Sequence, residues 1–277
     1  MNMQIDLEKG IANVGDVSRM KEVMARAKRG GRLVIGFIGG SITQGSLSST
    51  PQTCYAYRVY TWWKETFPQA EFVYCNAGIG GTTSEFGAAR VGTDLLAERP
   101  DFVIVEFSVN DESTEHFKET YEGLVRKILG AAWNPAVLLV HNVFYHNGAN
   151  AQVMHAAIGR HYDLPSVSMQ NSIYPEVVAG RIENRAITPD DLHPNDEGHA
   201  LVASVITYFL EQVRSGKLTG SNASFALGAK LPVPLTKNAY EDSVRIRNAA
   251  APDMAGLQQP TLDGFTPDET AQNEITD

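Results

Sequence analysis

The strongest constraint on this chain is a repeated alternation between short, nearly continuous apolar runs and stretches with helical spacing. The runs lie at 33–38 (Leu-Val-Ile-Gly-Phe-Ile), 71–75, 101–107 and 135–140, with a weaker one at 164–168. They are short, rich in β-branched residues and almost free of polar alternation. That is the pattern of strands covered on both faces. Helical spacing occupies 55–67, 82–97, 113–129, 149–162 and 195–213. Thr50-Pro51 supplies a cap and a first-turn proline before the first of these. Thr82 and Glu85 have capping-box spacing at the start of the second. In the last, Leu201, Val202, Val205, Ile206, Phe209 and Leu210 form one apolar face. Strand followed by helix, repeated in this way, predicts an α/β fold: a three-layer α/β/α sandwich around a five-stranded parallel sheet.

The chain has 277 residues, enough for one large domain and an appendage at about 100–200 residues per domain. Beyond Ser215 the texture turns to Pro, Asn, Thr, Asp and Ala. We therefore expect a main domain over 1–216 and a C-terminal extension over 217–277, either a tail or an incomplete accessory domain. Residues 230–235 read as an extended segment lying on the core, and the residues from Ala251 as a mobile tail. The formal net charge of −9 argues against binding to a phosphate backbone, so no nucleic-acid partner is expected. No apolar run approaches the roughly 18 residues needed to span a bilayer, so no membrane partner is expected either. The stretch Met1–Arg32 is charged and helical in pattern, unlike a secretory signal, which makes the cytoplasm the expected compartment. Cys54 and Cys75 read as small buried hydrophobes, and no Cys/His spacing suggests a metal. Assembly into a homo-oligomer is compatible with these features.

In an open parallel sheet, chemistry collects at the carboxyl ends of the strands. Four small or polar segments should meet there: Gly39-Gly40-Ser41-Ile42-Thr43, Asn76 to Gly81, Ser108 to Asp111, and Asp190 to Asn195. Ser41 is the candidate nucleophile, and a serine hydroxyl needs a base to take its proton. His193 is the candidate base, because its ordinary pKa lies near neutrality. Asp190, three residues earlier, can hold one imidazole nitrogen and leave the other for Ser41. Acyl transfer also needs donors for a developing oxyanion. The candidates are the N–H of Ser41, the N–H of Gly81 before a helix start, and the side-chain amide of Asn110. Gly40 allows close approach by a substrate. His141 and His146 follow the fourth strand and are candidate hydrogen-bonding contacts to a polar substrate. Each segment alone is common; their joint occurrence in this order is not.

Together these segments resemble the signature blocks of the SGNH hydrolases, also called the GDSL esterase/lipase family. Residues 39–43 resemble its nucleophile block, 76–84 its glycine block, 108–111 its Gly-x-Asn-Asp block and 190–193 its Asp-x-x-His block. The similarity covers roughly 33–213. It implies a flavodoxin-like fold and ester hydrolysis through an acyl-serine intermediate, with no cofactor. It also implies an oxyanion role for Gly81 and Asn110. Two departures stand out. The usual aspartate before the nucleophile is Gly40, whose effect is expected on loop rigidity. The third block begins with Ser108 in place of Gly, which is expected to narrow the site. The Gly-Gly-Ser-Ile-Thr form is similar to that of bacterial carbohydrate acetyl esterases. The expected substrate is therefore a short-chain ester, above all an O-acetyl group on an oligosaccharide. A general lipase, arylesterase or thioesterase, and a non-catalytic carbohydrate-binding module on the same fold, are the competing readings. Gly36-Phe-Ile-Gly-Gly40 misses the GxGxxG spacing of a dinucleotide site.

Overall fold

The apolar runs become strands of one sheet in the computed structural model, which describes residues 5–221 and 231–246. In chain order the strands are β1 (Ile11–Asn13), β2 (Arg32–Gly39), β3 (Glu71–Gly78), β4 (Phe102–Glu106), β5 (Ala136–His141) and β6 (Ser166–Ser168). The sheet order is β1-β6-β5-β4-β2-β3. Strands β2 to β6 are parallel, as expected; β1 is an additional edge strand, antiparallel to β6. The sheet thus has six strands rather than five. β1 lies in a stretch whose charge pattern reads as helical, and only its pairing with β6 makes it a strand.

The helical segments are α1 (Ser18–Lys28), α2 (Ser41–Gln44), α3 (Tyr55–Thr66), α4 (Ser84–Asp94), α5 (Glu115–Leu129), α6 (Gln152–His161), α7 (Met169–Ser172), α8 (Tyr174–Val178), α9 (Asn184–Ile187) and α10 (Asp196–Arg214). Alternation along each strand divides the core into two apolar layers. Leu33, Ile35, Phe37, Phe102, Ile104, Leu138 and Val140 pack with α1, α3 and α10. Ile38, Val103, Val105, Val137 and Leu139 pack with α4, α5 and α6 on the opposite face. Burying each such aliphatic or aromatic side chain contributes roughly 1.5–3 kcal/mol. Continuous apolar strands are therefore the expected signature of this three-layer arrangement. None of the described helices is long and apolar enough to cross a membrane.

Helix starts differ locally from the sequence expectation. Thr50 and Pro51 begin a 3-10 turn (Pro51–Thr53), and α3 follows with Cys54 as its cap. The cap of α4 is Thr83, which makes no side-chain cap bond. Thr82 Oγ1 instead donates to Ile79 O at 2.7 Å, and the Ser84 N–H donates to Asp111 Oδ1 at 2.8 Å. A carboxylate distant in sequence has taken the place of a local capping box.

The chain divides into a unit over Met1–Val244 and a second over Arg245–Asp277. The tail expected from Ala251 lies outside the described residues. Residues 231–243 run along α5, in keeping with the extended segment expected at 230–235. Glu122 accepts the N–H groups of Leu235 (2.6 Å) and Thr236 (2.7 Å), and Arg126 donates to Pro232 O at 2.8 Å. Backbone there approaches α5 so closely that a Cβ on Gly123 would lie 2.8 Å from the Tyr240 carbonyl carbon.

Sheet order also locates the site. Counting only the parallel strands, the order is 2-1-3-4-5, with β2 flanked by β3 and β4. The chain leaves β2 toward β3 and later returns to the other side of β2. That reversal opens a crevice at the carboxyl end of β2, where α/β sheets bind ligands. Ser41 lies two residues beyond β2.

Candidate active site

Ser41 opens the short helical turn α2, directly after Gly40, and is 8% exposed. Gly40 is required by its neighbour: a Cβ there would lie 2.1 Å from Asn110 Oδ1 and 2.7 Å from Asn110 Cγ. The Asn110 carboxamide therefore packs directly on the Gly40 backbone. A larger residue at position 40 would displace this contact. Ser108 does not narrow the opening; it is fully buried, and its hydroxyl donates to Asn142 O at 3.0 Å and Glu106 Oε1 at 3.2 Å.

His193 lies in the loop before α10. Its Nε2 is 2.8 Å from Ser41 Oγ, and its Nδ1 is 2.6 Å from Asp190 Oδ2. Asp190 Oδ1 accepts the N–H groups of Leu192 (3.1 Å) and His193 (2.7 Å), so the carboxylate holds both the ring and the loop. Burial pushes the Asp190 carboxyl up, but the bonds from the His193 side chain and the two N–H groups outweigh it and keep the pKa below its ordinary value. With an ionised carboxylate on Nδ1, the proton rests on that nitrogen. Nε2 is then free to accept from the Ser41 hydroxyl.

The adjacent acids separate by backbone conformation. Asp191 has φ +72° and turns away from His193. Its carboxylate accepts from Asn184 Nδ2 (2.5 Å) and Arg185 Nη2 (3.0 Å), and its carbonyl accepts the Tyr145 N–H at 2.8 Å. Asp191 ties the loop to its surroundings while Asp190 orients the imidazole. The other end of this loop is fixed by Asn195, which caps α10 through Glu197 N and Gly198 N.

The glycine loop after β3 reaches Ser41 through Gly80. A Cβ on Gly80 would be 3.6 Å from Ser41 Cβ. Gly81 follows at φ +69°, a conformation that favours glycine. Its N–H has no partner among the described residues.

Ser41, His193, Asp190, Gly40 and Asn110 are thus joined by direct contact, with the glycine loop alongside. His141 and His146 are placed differently. His141 is the last residue of β5 and is fully buried, with neither ring nitrogen bonded among the described residues. Burial, with His155 nearby, pushes its pKa down to about 3. It lies inside the sheet layer and does not face a substrate. His146 is exposed, edge-on to Phe144 at 5.9 Å.

Several polar groups around the site are not apparent in sequence. Arg90 is fully buried and donates to Ala77 O (2.6 Å) and Gly39 O (3.1 Å), joining the ends of β3 and β2. Asp111 is paired with His155 Nε2 at 2.9 Å; both side chains are buried, and the His155 ring stacks on Tyr121 at 3.6 Å. Asp111 immediately follows Asn110 and also holds the first N–H of α4. It therefore links the two loops that carry the candidate oxyanion donors. Among the described residues, no group of His, Cys, Asp and Glu side chains could hold a metal ion.

A hydroxyl, an imidazole and a carboxylate in a hydrogen-bonded line, with a glycine loop alongside, can carry out acyl transfer. Comparison with known proteins agrees. The GDSL-like lipase/acylhydrolase family matches residues 37–201. A solved two-domain esterase (CEX) active on acetylated mannans is 67% identical, with a TM-score of 0.83 over 89% of this chain. The same esterase was also solved with mannopentaose. This chain spans 65% of that structure's chain. The acetylxylan esterase Axe2 of Geobacillus stearothermophilus shares the fold at 21% identity and a TM-score of 0.53, over 66% of this chain and 96% of that one. No curated protein sequence matches.

Proposed function

Since the chain belongs to the GDSL-like lipase/acylhydrolase family, we propose that it is a serine esterase that removes acetyl groups from oligosaccharides. The observation that carries this reading is the line from Asp190 through His193 to Ser41, with bonds of 2.6 and 2.8 Å. Ser41 Oγ attacks the ester carbonyl carbon and gives its proton to His193 Nε2. Asp190 stabilises the imidazolium through Nδ1. The oxyanion is met by the N–H groups of Ser41 and Gly81 and the amide of Asn110. His193 returns its proton to the leaving sugar oxygen. Water then attacks the acetyl-serine with His193 again as base, releasing acetate and restoring Ser41.

The substrate class follows from the acetylmannan esterase at 67% identity. An acetylated manno-oligosaccharide is favoured over its xylan counterpart, because the acetylxylan esterase likeness at 21% identity speaks to fold. Gly40 and the exposed His146 are kept as candidate substrate contacts. We read residues 217–277 as a C-terminal extension of the catalytic domain. A cytoplasmic location fits the two free thiols, Cys54 and Cys75.

Purified protein assayed on acetylated manno- and xylo-oligosaccharides, with products followed by mass spectrometry, tests this reading. Loss of acetyl mass from the manno series, absent in Ser41→Ala, is expected. A preference for p-nitrophenyl octanoate over the acetate would refute the acetyl-sugar assignment.

A further inference from the structure

We infer that Gln44 is a positioning residue for the oxyanion site, an inference that rests on the acyl-serine reading above. Gln44 closes the same four-residue turn that Ser41 opens. Its Oε1 accepts the Gly80 N–H at 2.7 Å. The turn that presents the nucleophile therefore also holds the loop that presents Gly81.

The glycine loop is anchored firmly up to residue 79. Asn76 Nδ2 donates to Thr43 O at 2.8 Å, and Ile79 N donates to Gly39 O at 3.1 Å. Backbones touch here, since a Cβ on Gly78 would lie 2.3 Å from Gln44 N. Arg90 ties the carbonyls of Gly39 and Ala77 together from below. Beyond Ile79 these bonds to β2 and its exit stop, and the Ile79 carbonyl accepts from Thr82 Oγ1 at 2.7 Å. Gly80 and Gly81 are both exposed, and a Cβ on Gly81 would touch nothing within 4 Å. Two successive glycines leave the peptide planes free to rotate. Among the described residues, the Gln44 carboxamide is the one side chain hydrogen-bonded to either glycine.

The bond has a selective consequence. Two adjacent N–H groups follow one another in this loop, of which Gly80 approaches Ser41, and both could in principle meet an oxyanion. Gln44 engages the first and, with Thr82 Oγ1 on the Ile79 carbonyl, fixes the plane of the 79–80 peptide. The Gly81 N–H then remains as the donor without a partner. Preorganisation of this kind matters because donors that must reorient during the reaction stabilise the transition state less. Gln44 acts through Gly80 and touches no reacting atom.

Gln44 is exposed, so its replacement should spare the fold. Gln44→Met keeps side-chain length and removes the acceptor; Gln44→Ala removes both. Wild type, Ser41→Ala and these two variants are assayed with p-nitrophenyl acetate across pH, and thermal midpoints are measured beside them. For both Gln44 variants we expect kcat to fall about tenfold or more, KM to stay within about twofold, and the midpoint to stay within about 2 °C. The shape of the pH profile should not move, because the Asp190–His193–Ser41 line is untouched. Variants with wild-type kcat, or with a loss confined to KM or tracking a lowered midpoint, overturn the inference while Ser41-dependent wild-type turnover keeps the esterase reading. Turnover that survives in Ser41→Ala overturns both.

Discussion

Replacing Glu106 by Gln should remove a specific part of the pH dependence of stability. Glu106 ends β4, pairs with Gly39 in register and is fully buried. Its Oε1 accepts the N–H and the hydroxyl of Ser108, both at 3.2 Å, while Oε2 has no hydrogen-bond partner among the described residues. Burial raises its pKa from 4.5 to about 7; the bonds from Ser108 and Asn142 oppose the shift, and the charge of Asp111 adds to it. Between those values the unfolded chain has lost this proton and the folded chain has kept it. The folded state then binds more protons, so this contribution to stability is complete below pH 4.5 and is lost as pH rises through about 7. At 1.36 kcal/mol per pKa unit the whole span is worth about 3 kcal/mol. Two buried histidines act in the opposite direction. Burial lowers His141 to about 3 and His199 to about 4, so their contribution is lost as pH falls below 6.5. A wild-type curve mixes these effects, whereas the difference between Glu106→Gln and wild type isolates one. Urea unfolding at several values between about pH 5 and pH 8 supplies that difference. Glutamine should gain on wild type by roughly 2–3 kcal/mol across the range, with an unchanged m-value. A difference flat to within about 0.5 kcal/mol would refute the argument that burial keeps this carboxyl protonated.

Two substitutions probe the site more directly. Gly40→Ala places a methyl group 2.1 Å from Asn110 Oδ1. The end of that side chain can swing away, so the thermal midpoint should move by no more than about 2 °C, while kcat falls about 100-fold at steady KM as one oxyanion donor is displaced. Kinetics and a melting curve check both halves. Asp190→Asn should lower kcat by about 10²–10⁴-fold, because the imidazole loses the carboxylate that sets its tautomer. Asp191→Asn should keep kcat within about threefold of wild type, since its carboxylate holds Asn184 and Arg185 and does not touch His193. Parallel assays that rank these variants the other way would reverse the roles of the two acids.

Much of this arrangement was legible because its signals are local. Apolar strands, the strand exits that follow them and the three-residue step from Asp190 to His193 can each be read in a short window. The strand β1 could not, since Ile11–Asn13 is three residues long and owes its conformation to pairing with β6. The start of α4 reads as a capping box, but Asp111, 27 residues beyond Ser84, takes the N–H instead. The Asp111–His155 pair spans 44 residues and has no spacing to reveal it. His141 follows an apolar run and so reads as a site residue; β5 extends by one residue to include it, which buries the ring. Gln44 sits just past the recognisable motif, and its importance depends on a loop brought to it by the neighbouring strand.

Covalent labelling of Ser41 tests the central claim most directly. Diethyl p-nitrophenyl phosphate transfers a stable phosphoryl group to an activated serine and releases p-nitrophenol. Treated protein, digested and mapped by mass spectrometry, should carry one label per chain on the peptide containing Ser41. Esterase activity should disappear in proportion to labelling, and Ser41→Ala should remain unlabelled. Full activity after saturating treatment, or a label elsewhere that abolishes turnover, would contradict the assignment of Ser41 as the nucleophile.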